Sequence, residues 1–424
     1  MRISRKDKLV FNTGVLTGSN ILIKIAAYVY FWIIAREFSA EQLGIYALLI
    51  TTYLLMELVV NFGFDKLIIR ELSRLQEEEA NALYFFSMSV RAILALIIFV
   101  VCLIAYRVIY PDVLSLYTWA VLFVLTAVFP LIISHGIESY FTAREKMHIP
   151  AASQLVERLV ILATAGLVSA GIVGLRGFFA GFFLAAVVRM LILVMRFPWS
   201  TWGLRSGLTR DQRRALFSEA GQVALVEILA LIYFRVDMFM LSKMTDLAST
   251  GMYQVVYKIF DLCIALFAGF LIATFPAISR AGRQAPVGRY LRIGMPLVTA
   301  LTVVVICFRY DILSFFQPAF VSAASCLIWL MLTLPLVFLN SLLANYLVAV
   351  GRVKMLVRFA LLLASLNIGV NLMLIPRFGI QGAAIATLIC DLGLAGLFIL
   401  GLKYITPNAL PWSKLSKAED LPHK

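Results

Sequence analysis

The chain has 424 residues, of which 62% are hydrophobic and 14% charged, and it carries a formal net charge of +14. Its mean hydropathy is +0.94. Soluble domains carry about 25% charged residues, so this chain lacks the polar surface that water requires. Intrinsic disorder needs low hydrophobicity, and a disulfide scaffold needs dense cysteine, so both are excluded. The composition therefore indicates an integral membrane protein.

Twelve apolar segments, each long enough to cross a bilayer, follow one another along the chain. None alternates between polar and apolar faces as a barrel strand does, so the predicted fold class is all-α. We place the twelve helices at 12–35, 43–63, 82–106, 113–135, 151–174, 177–197, 219–241, 250–275, 290–308, 321–350, 353–375 and 379–402. Pro130, Pro296 and Pro335 fall inside the fourth, ninth and tenth and are expected to kink them.

The loops between these segments alternate in charge. One side collects 26 lysines and arginines and the other side six, one in each loop. The positive-inside rule then places both termini in the cytoplasm. This asymmetry accounts for the positive charge without a nucleic-acid partner. The first apolar run contains Lys24 and has no small-residue cleavage site, so we do not expect a signal peptide.

The two halves of the chain resemble each other. Leu43-Gly44-Ile45-Tyr46 is matched by Thr250-Gly251-Met252-Tyr253, 207 residues later, and Arg189 and Asp391 take equivalent places 202 residues apart. Six spans per copy make this a parallel repeat of two lobes with a central cleft. We predict an N-terminal lobe at 1–197, an inter-lobe linker at 198–218, a C-terminal lobe at 219–403 and a cytoplasmic tail at 404–424.

Two loop segments are predicted to form amphipathic helices on the cytoplasmic surface. Thr209 and Gln212 are spaced as a capping box within the linker, where Trp199 and Trp202 would lie at the membrane interface. The segment 66–79 is expected to behave in the same way. Its run of glutamates at 77–79 is expected to be a solvated face.

Ten charged side chains fall within the predicted spans. Each costs about 2.5–3.5 kcal/mol at the centre of a spanning helix, on the order of 30 kcal/mol together. They are therefore expected to face the protein interior or a water-filled cavity, except that Arg91 is expected to reach the cytoplasmic surface. The cations are Lys24, Arg91, Arg189, Arg235 and Lys258, and the acids are Glu57, Glu227, Asp237, Asp261 and Asp391. Lys258 and Asp261 are spaced to touch.

The remaining reactive residues offer little chemistry. The cysteines lie within spans at 102, 263, 307, 326 and 390, without metal-ligand spacing, and are interpreted as small buried apolar residues. His135, His148 and His423 are scattered along the chain, and Glu157 and Arg158 are placed at the membrane interface. We expect no catalytic residue and no metal site.

Several motifs resemble those of a known family. Phe234-Arg235-Val236-Asp237 followed by Thr250-Gly251-Met252-Tyr253 resembles the arginine-any-aspartate and glycine-any-tyrosine pattern of the polysaccharide biosynthesis flippases. The stretches Leu347 to Lys354 and Asn367 to Ala384 are similar to theirs, as are Ala35-Arg36-Glu37-Phe38 and Gly44-Ile45-Tyr46. These flippases belong to the multidrug, oligosaccharidyl-lipid and polysaccharide exporter superfamily.

The resemblance implies alternating-access translocation of an undecaprenyl-diphosphate-linked oligosaccharide across the bacterial inner membrane, in O-antigen, capsule or exopolysaccharide synthesis. The partners would be this lipid-linked sugar, the bilayer and the polysaccharide polymerase machinery. Lys24, Arg189, Arg235 and Lys258 would bind the anionic head group. Glu57, Glu227, Asp237, Asp261 and Asp391 would balance these cations or couple transport to Na⁺, H⁺ or the membrane potential. No cofactor is expected.

Other functions remain open at this point. A cation-coupled multidrug antiporter of the MATE type should favour acids and aromatics, whereas here the deep cations equal the acids in number. A lipid II flippase would add two C-terminal helices. A membrane polymerase or ligase acting on the same lipid-linked sugars would carry a large periplasmic loop. A structural scaffold has no need of ten intramembrane charges.

Overall fold

The computed structural model describes residues 5–72, 77–199 and 208–405. All regular structure in these ranges is helical, which confirms the all-α fold class. The chain divides into two compact units, residues 1–228 and 229–424. The division falls within a helix that begins in the first unit and continues into the second.

The first unit is built from helices of unequal length. In its described part they are α1 (Arg5–Glu37), α2 (Ala40–Asn61), α3 (Phe64–Leu72), α4 (Glu77–Ile109), α5 (Pro111–Leu116), α6 (Thr118–Thr126), α7 (Val128–Ala143), α8 (His148–Ser169), α9 (Leu175–Arg196) and the beginning of α10 (Arg210–Met244). α8 packs against α1 and α9, and α7 packs against α9 and the short α3. These neighbours enclose the polar residues of the first unit.

The second unit is organised around one helix, α14, which packs against α11, α12 and α15. Its helices are the remainder of α10, then α11 (Leu247–Ala281), α12 (Val287–Cys307), α13 (Arg309–Phe316), α14 (Ala324–Ala349) and α15 (Val353–Ile405), with short 3-10 turns at Gly282–Gln284 and Pro318–Ala323. The short α5 and α13 follow the long α4 and α12 at corresponding points of the two units. This agrees with the predicted repeat.

Ten helical stretches in the described ranges are long and apolar enough to cross a membrane. α10, which contains the predicted seventh span, is not among them, and it carries charged side chains along its length. α15 contains both the eleventh and the twelfth predicted spans. The chain is a multi-pass membrane protein, and the count of twelve spans stays a prediction.

α15 is interrupted where the last two spans were predicted to meet. Gly379 has a φ of +54° and a ψ of −131°, outside the helical region and in a conformation that favours glycine. Pro376, three residues earlier, has no N–H to donate to the preceding turn. Together they break the regular hydrogen-bonding pattern. Of the three predicted kinks, Pro130 follows the break at Ala127 between α6 and α7, and Pro296 and Pro335 lie inside α12 and α14.

Both predicted surface helices have a counterpart. Thr209 Oγ1 accepts from the Gln212 N–H and the Gln212 side chain accepts from the Thr209 N–H, which confirms the capping box. The helix that starts there is not short, because it runs on as α10 to Met244. Trp202 lies outside the described residues. α3 overlaps the second predicted segment, beginning two residues before it, and buries its apolar face, while the side chains at 77–79 lie outside the described ones.

A tight turn between α2 and α3 sets where α3 lies. Phe62 and Gly63 have φ values of +46° and +72°. A Cβ added to Gly63 would lie 2.5 Å from the carbonyl oxygen of Ala220 in α10. The backbone of this turn therefore approaches α10 more closely than any residue with a side chain allows.

Gly63→Ala is expected to destabilise the protein by about 1–3 kcal/mol, because it adds both backbone strain and a clash. The measurement is thermal unfolding of the purified protein in detergent. Gly166→Ala is the matched control, since that helical glycine has open space around it and alanine should be neutral or stabilising by about 1 kcal/mol. Equal unfolding temperatures for the two variants would contradict the close approach.

Candidate functional site

A polar cavity of about 330 Å³ lies within the first unit. Its size is at the lower end of the range found for small-molecule sites. The ionisable side chains that line it come from five helices: Glu57 of α2, Asp65 of α3, His135 and Glu138 of α7, Glu157 and Arg158 of α8, and Arg189 of α9. Charged groups at this density indicate a hydrated site rather than a packing defect.

Arg189 holds one side of the cavity together. Its Nη2 and Nε donate to the two oxygens of Glu138 at 2.8 Å each, and its Nη1 donates to Glu157 at 3.0 Å. Ser153 and Gln154 also donate to Glu138. A buried ion pair is tolerated only when each partner is satisfied in this way. Three of the five guanidinium N–H groups are thus occupied by the protein itself.

The opposite side is built around Asp65. Its carboxylate accepts from Arg91 Nη2 at 2.8 Å and from Ser139 Oγ at 2.6 Å, and it lies 3.1 Å from His135 Nδ1. The other ring nitrogen, His135 Nε2, lies 3.1 Å from Glu57 Oε1. Burial opposes ionisation of Asp65, but Arg91 and His135 hold the pKa of its carboxyl well below the usual range.

Several sequence-based expectations are wrong in this region. Arg91 is fully buried and does not reach the surface, and Glu157 is buried rather than interfacial. His135 lies inside α7 rather than at a helix end, because α7 continues to Ala143. Glu138, Asp65 and His135 were missed as site residues. For His135 and Glu138 the sequence does contain a signal, because their i, i+3 spacing places them on one face of a helix.

Lys24 and Glu227 lie apart from these pairs. Lys24 is exposed on α1, as is Asn20 one turn earlier. Lys66 Nζ of α3 lies 2.8 Å from Glu227 Oε1 of α10, and the two form an ion pair. The partner of Glu227 is therefore a lysine that was predicted to lie in a loop.

Arg235 is a partly exposed arginine of the second unit. Its Nη2 lies 3.3 Å from Asp261 Oδ2, and its guanidinium stacks 4.9 Å from the centre of the Tyr257 ring. Lys258 is half-buried one turn before Asp261. Asp237 is buried instead, where it accepts from the Tyr253 hydroxyl at 2.6 Å and from the Met238 N–H at 2.8 Å.

Asp391 is also buried in the second unit, where two neutral side chains donate hydrogen bonds to it. Tyr233 donates from its hydroxyl at 2.9 Å, and Asn340 donates from its amide at 2.9 Å. The amide oxygen of Asn340 is buried and accepts no hydrogen bond from the described residues. Oxygen atoms left without donors beside a carboxylate favour the approach of a cation.

Two polar contacts recur at equivalent points of the two units. Tyr30 and Tyr46 touch through their hydroxyls at 3.4 Å, and Asp237 and Tyr253, each 207 residues later, form the corresponding bond. The Arg189–Glu138 pair is matched in the same way by Asp391 and Asn340, each 202 residues later. The repeat therefore conserves the places of these contacts while their chemistry differs.

The cysteines require one correction. Cys102, Cys263, Cys326 and Cys390 are buried as expected, whereas Cys307 is exposed at the end of α12.

The comparisons with known proteins agree with this architecture. An inward-facing multidrug resistance MATE family transporter of the MOP superfamily is 14% identical with a TM-score of 0.76, over 93% of this chain and 94% of that one. An inward closed form of the lipid II flippase MurJ is 15% identical with a TM-score of 0.77, over 98% of this chain and 94% of that one. At these identities the likeness shows the fold.

A third solved structure, a MOP superfamily transporter from Pyrococcus furiosus described as having a binding pocket of reverse polarity, is 13% identical with a TM-score of 0.64, over 97% and 95% of the two chains. The family described as MatE matches residues 223–373. No curated protein matches the chain. The chain therefore has the fold that these membrane transporters share.

A second family match is longer. The family described as polysaccharide biosynthesis protein matches residues 9–281, which is more than half of the chain. The chain belongs to this family.

Replacing Arg189 by methionine is expected to destabilise the protein by about 3–5 kcal/mol, because Glu138 and Glu157 would be left buried without a cation. Glu157→Gln should cost much less, since Arg189 keeps both bonds to Glu138. Thermal unfolding in detergent measures both, with Arg176→Met, an exposed arginine of the same unit, as the control. An Arg189→Met protein as stable as the control would show that the buried pairs contribute nothing.

Proposed function

We propose that the protein moves an undecaprenyl-diphosphate-linked oligosaccharide from the cytoplasmic to the periplasmic leaflet of the bacterial inner membrane by alternating access. The product would feed O-antigen, capsule or exopolysaccharide synthesis, with the polymerase machinery as the next partner. Both termini would lie in the cytoplasm. Membership of the polysaccharide biosynthesis family supports this assignment, and the transporter fold is compatible with it.

The observation that carries the proposal is the environment of Arg235. Its guanidinium, on the helix that contains the predicted seventh span, is partly exposed beside the Asp261 carboxylate and the Tyr257 ring. A charge in this position requires water or an anionic ligand, since lipid does not solvate it. A diphosphate offers several strong acceptors to an arginine. Lys24, exposed on α1, and Lys258, half-buried on α11, are proposed to share this role.

Arg189 has a different part in the proposal. Two carboxylates already occupy it, so its positive charge is compensated and it has little attraction left for a diphosphate. We assign it to positioning Glu138 and Glu157 at the cavity wall. The cations that remain for the head group are then Lys24, Arg235 and Lys258.

The acids are proposed to balance charge or to couple transport to Na⁺, H⁺ or the membrane potential. Asp391 and the adjacent amide oxygen of Asn340 offer an oxygen-rich environment of the kind that cations prefer. Asp261 balances Arg235, and Glu227 balances Lys66. Asp237 is held by a tyrosine, and Glu57 faces His135.

Two other candidates each have an observation in their favour. Four carboxylates line the cavity of the first unit, and residues 223–373 match the MatE family, as a cation-coupled antiporter would require. The fold likeness to a lipid II flippase favours a lipid-linked substrate of another kind. The transport assay below separates these alternatives.

Arg235→Ala is expected to abolish transport without loss of membrane insertion, because it removes a head-group contact. The measurement is surface polysaccharide by gel in a host deleted for this gene, with lipid-linked repeat units assayed on the inner leaflet. Lost polysaccharide with repeat units accumulating there agrees with a flippase. Wild-type polysaccharide at normal protein level would remove Arg235 from the site.

Two controls interpret that result. Arg176→Ala, at an exposed position, should leave polysaccharide unchanged. Asp261→Asn removes the partner of Arg235 but keeps the guanidinium, so it should retain part of the activity. An Asp261→Asn phenotype as severe as Arg235→Ala would indicate that the pair is structural.

Intact polysaccharide in the deleted host would direct attention to drug export, and repeat units that reach the periplasmic leaflet unpolymerised would indicate a polymerase.

A further inference from the structure

His135 lies between two carboxylates. Its Nδ1 is hydrogen-bonded to Asp65 at 3.1 Å, and its Nε2 lies 3.1 Å from Glu57 in an ion-pair contact that is not a hydrogen bond. A neutral imidazole has one N–H and one lone pair, so one of its nitrogens would present a lone pair to a carboxylate oxygen. Only the imidazolium form, which has an N–H on each nitrogen, is attracted to both neighbours. The geometry therefore selects a protonated ring.

The charged side chains around His135 also carry one more negative charge than positive charges. The helices packed against α7 contribute acids from α2, α3 and α8 and arginines from α4, α8 and α9, and α7 itself contributes one acid. The acids are Glu57, Asp65, Glu138 and Glu157, and the arginines are Arg91, Arg158 and Arg189. Four negative charges face three positive ones, so a proton on His135 makes the cluster neutral.

The position of Asp65 depends on α10. Asp65 lies on the nine-residue α3, and the next residue, Lys66, forms an ion pair with Glu227 of α10 at 2.8 Å. One turn further, Arg70 donates to both oxygens of Glu219 at 2.5 and 2.9 Å. These bonds join α3 to the part of α10 that belongs to the first unit. A movement of α10 that pulled on α3 would carry Asp65 away from His135.

We propose that His135, Glu57 and Asp65 form a proton-binding site in the first unit, and that its proton is retained only while α3 stays docked on α10. Side chains at the site are 19–30% exposed, which gives the proton access from the cavity. Within the described ranges no group of three His, Cys, Asp or Glu side chains is arranged to hold a metal ion. The use of this proton in transport rests on the proposed function, whereas its binding does not.

The chain has three histidines, so a single-histidine protein isolates the site. His148→Gln/His423→Gln retains only His135, and His135→Gln/His423→Gln retains only His148, which is exposed. Diethyl pyrocarbonate acylates the neutral form of an imidazole ring and not the charged form. The rate of histidine acylation is followed by absorbance in detergent between pH 6 and pH 9. The protein that retains only His148 gives the reference profile of an exposed histidine under the same conditions.

His135 is expected to react more slowly than His148 at pH 7 and to gain rate more steeply toward pH 9, because Asp65 and Glu57 stabilise the charged ring. A constant rate above pH 7.5 would mean that the ring is neutral and would overturn the site. Asp65→Asn in this background should remove the steep pH dependence. An unchanged profile in Asp65→Asn would also overturn the site.

Lys66→Ala/Arg70→Ala tests the dependence on α10, since these two residues form the ion pairs with Glu227 and Glu219 of α10. The rate is expected to rise at least about threefold at pH 8 and by a smaller factor at pH 9, so that the profile becomes less steep as the balance shifts from charged to neutral rings. Lys146→Ala, an exposed lysine beyond the end of α7, is the control. An unchanged profile, or a rate raised equally at every pH, would overturn the coupling to α10.

A cellular assay separates this inference from the proposed function. Proton binding is measured without any substrate, so a silent Arg235→Ala would refute the flippase site and leave the proton site standing. With the steep profile established, His135→Gln should abolish surface polysaccharide while His148→Gln retains it. Normal polysaccharide in His135→Gln would overturn the use of this proton in transport.

Discussion

The pairing of buried charges is the constraint on which the rest of the structure depends. Ionised side chains within membrane helices are costly unless a partner compensates them. In the first unit Arg189 binds Glu138 and Glu157, and Arg91 binds Asp65, so that α3, α4, α7, α8 and α9 are joined by ion pairs. These bonds fix the spacing of the helices and leave a cavity that is lined by their polar side chains. The cavity is therefore a consequence of how the charges are neutralised.

The two units share one repeat but carry different side chains at its equivalent positions. The place of Arg189 is taken in the second unit by Asp391, and the place of Glu138 by Asn340. An ion pair has thus been replaced by a carboxylate with neutral donors. In the first unit the buried acids are paired with arginines, whereas Asp391 in the second unit is hydrogen-bonded by Tyr233 and Asn340. The equivalent places of the repeat therefore neutralise buried charge in two different ways.

Composition and periodicity predicted the helices well, because long apolar runs have one stable form in a bilayer. Local rules also predicted the capping box at Thr209 and Gln212, since both partners lie within four residues. The site was predicted less well. Asp65 and His135 meet across 70 residues of chain, and Arg189 and Glu138 across 51. Such pairs depend on helix packing, which no local pattern contains, so Arg91 was expected at the surface although Asp65 neutralises it inside.

One continuous helix connects the features that bear on function. α10 carries Glu219 and Glu227, which hold α3, and then Arg235, which is proposed to meet the substrate. Glu227 and Arg235 are eight residues apart, about 12 Å along a helix that rises 1.5 Å per residue. A helix of this kind transmits a tilt from one end to the other more readily than a loop does. An anion bound at Arg235 that displaced α10 would pull on α3, and with it Asp65, so the charge on His135 would respond to the state of the substrate site. In this proposal, the ion pairs of α3 with Glu219 and Glu227 couple the proton site to the helix that continues into the second unit.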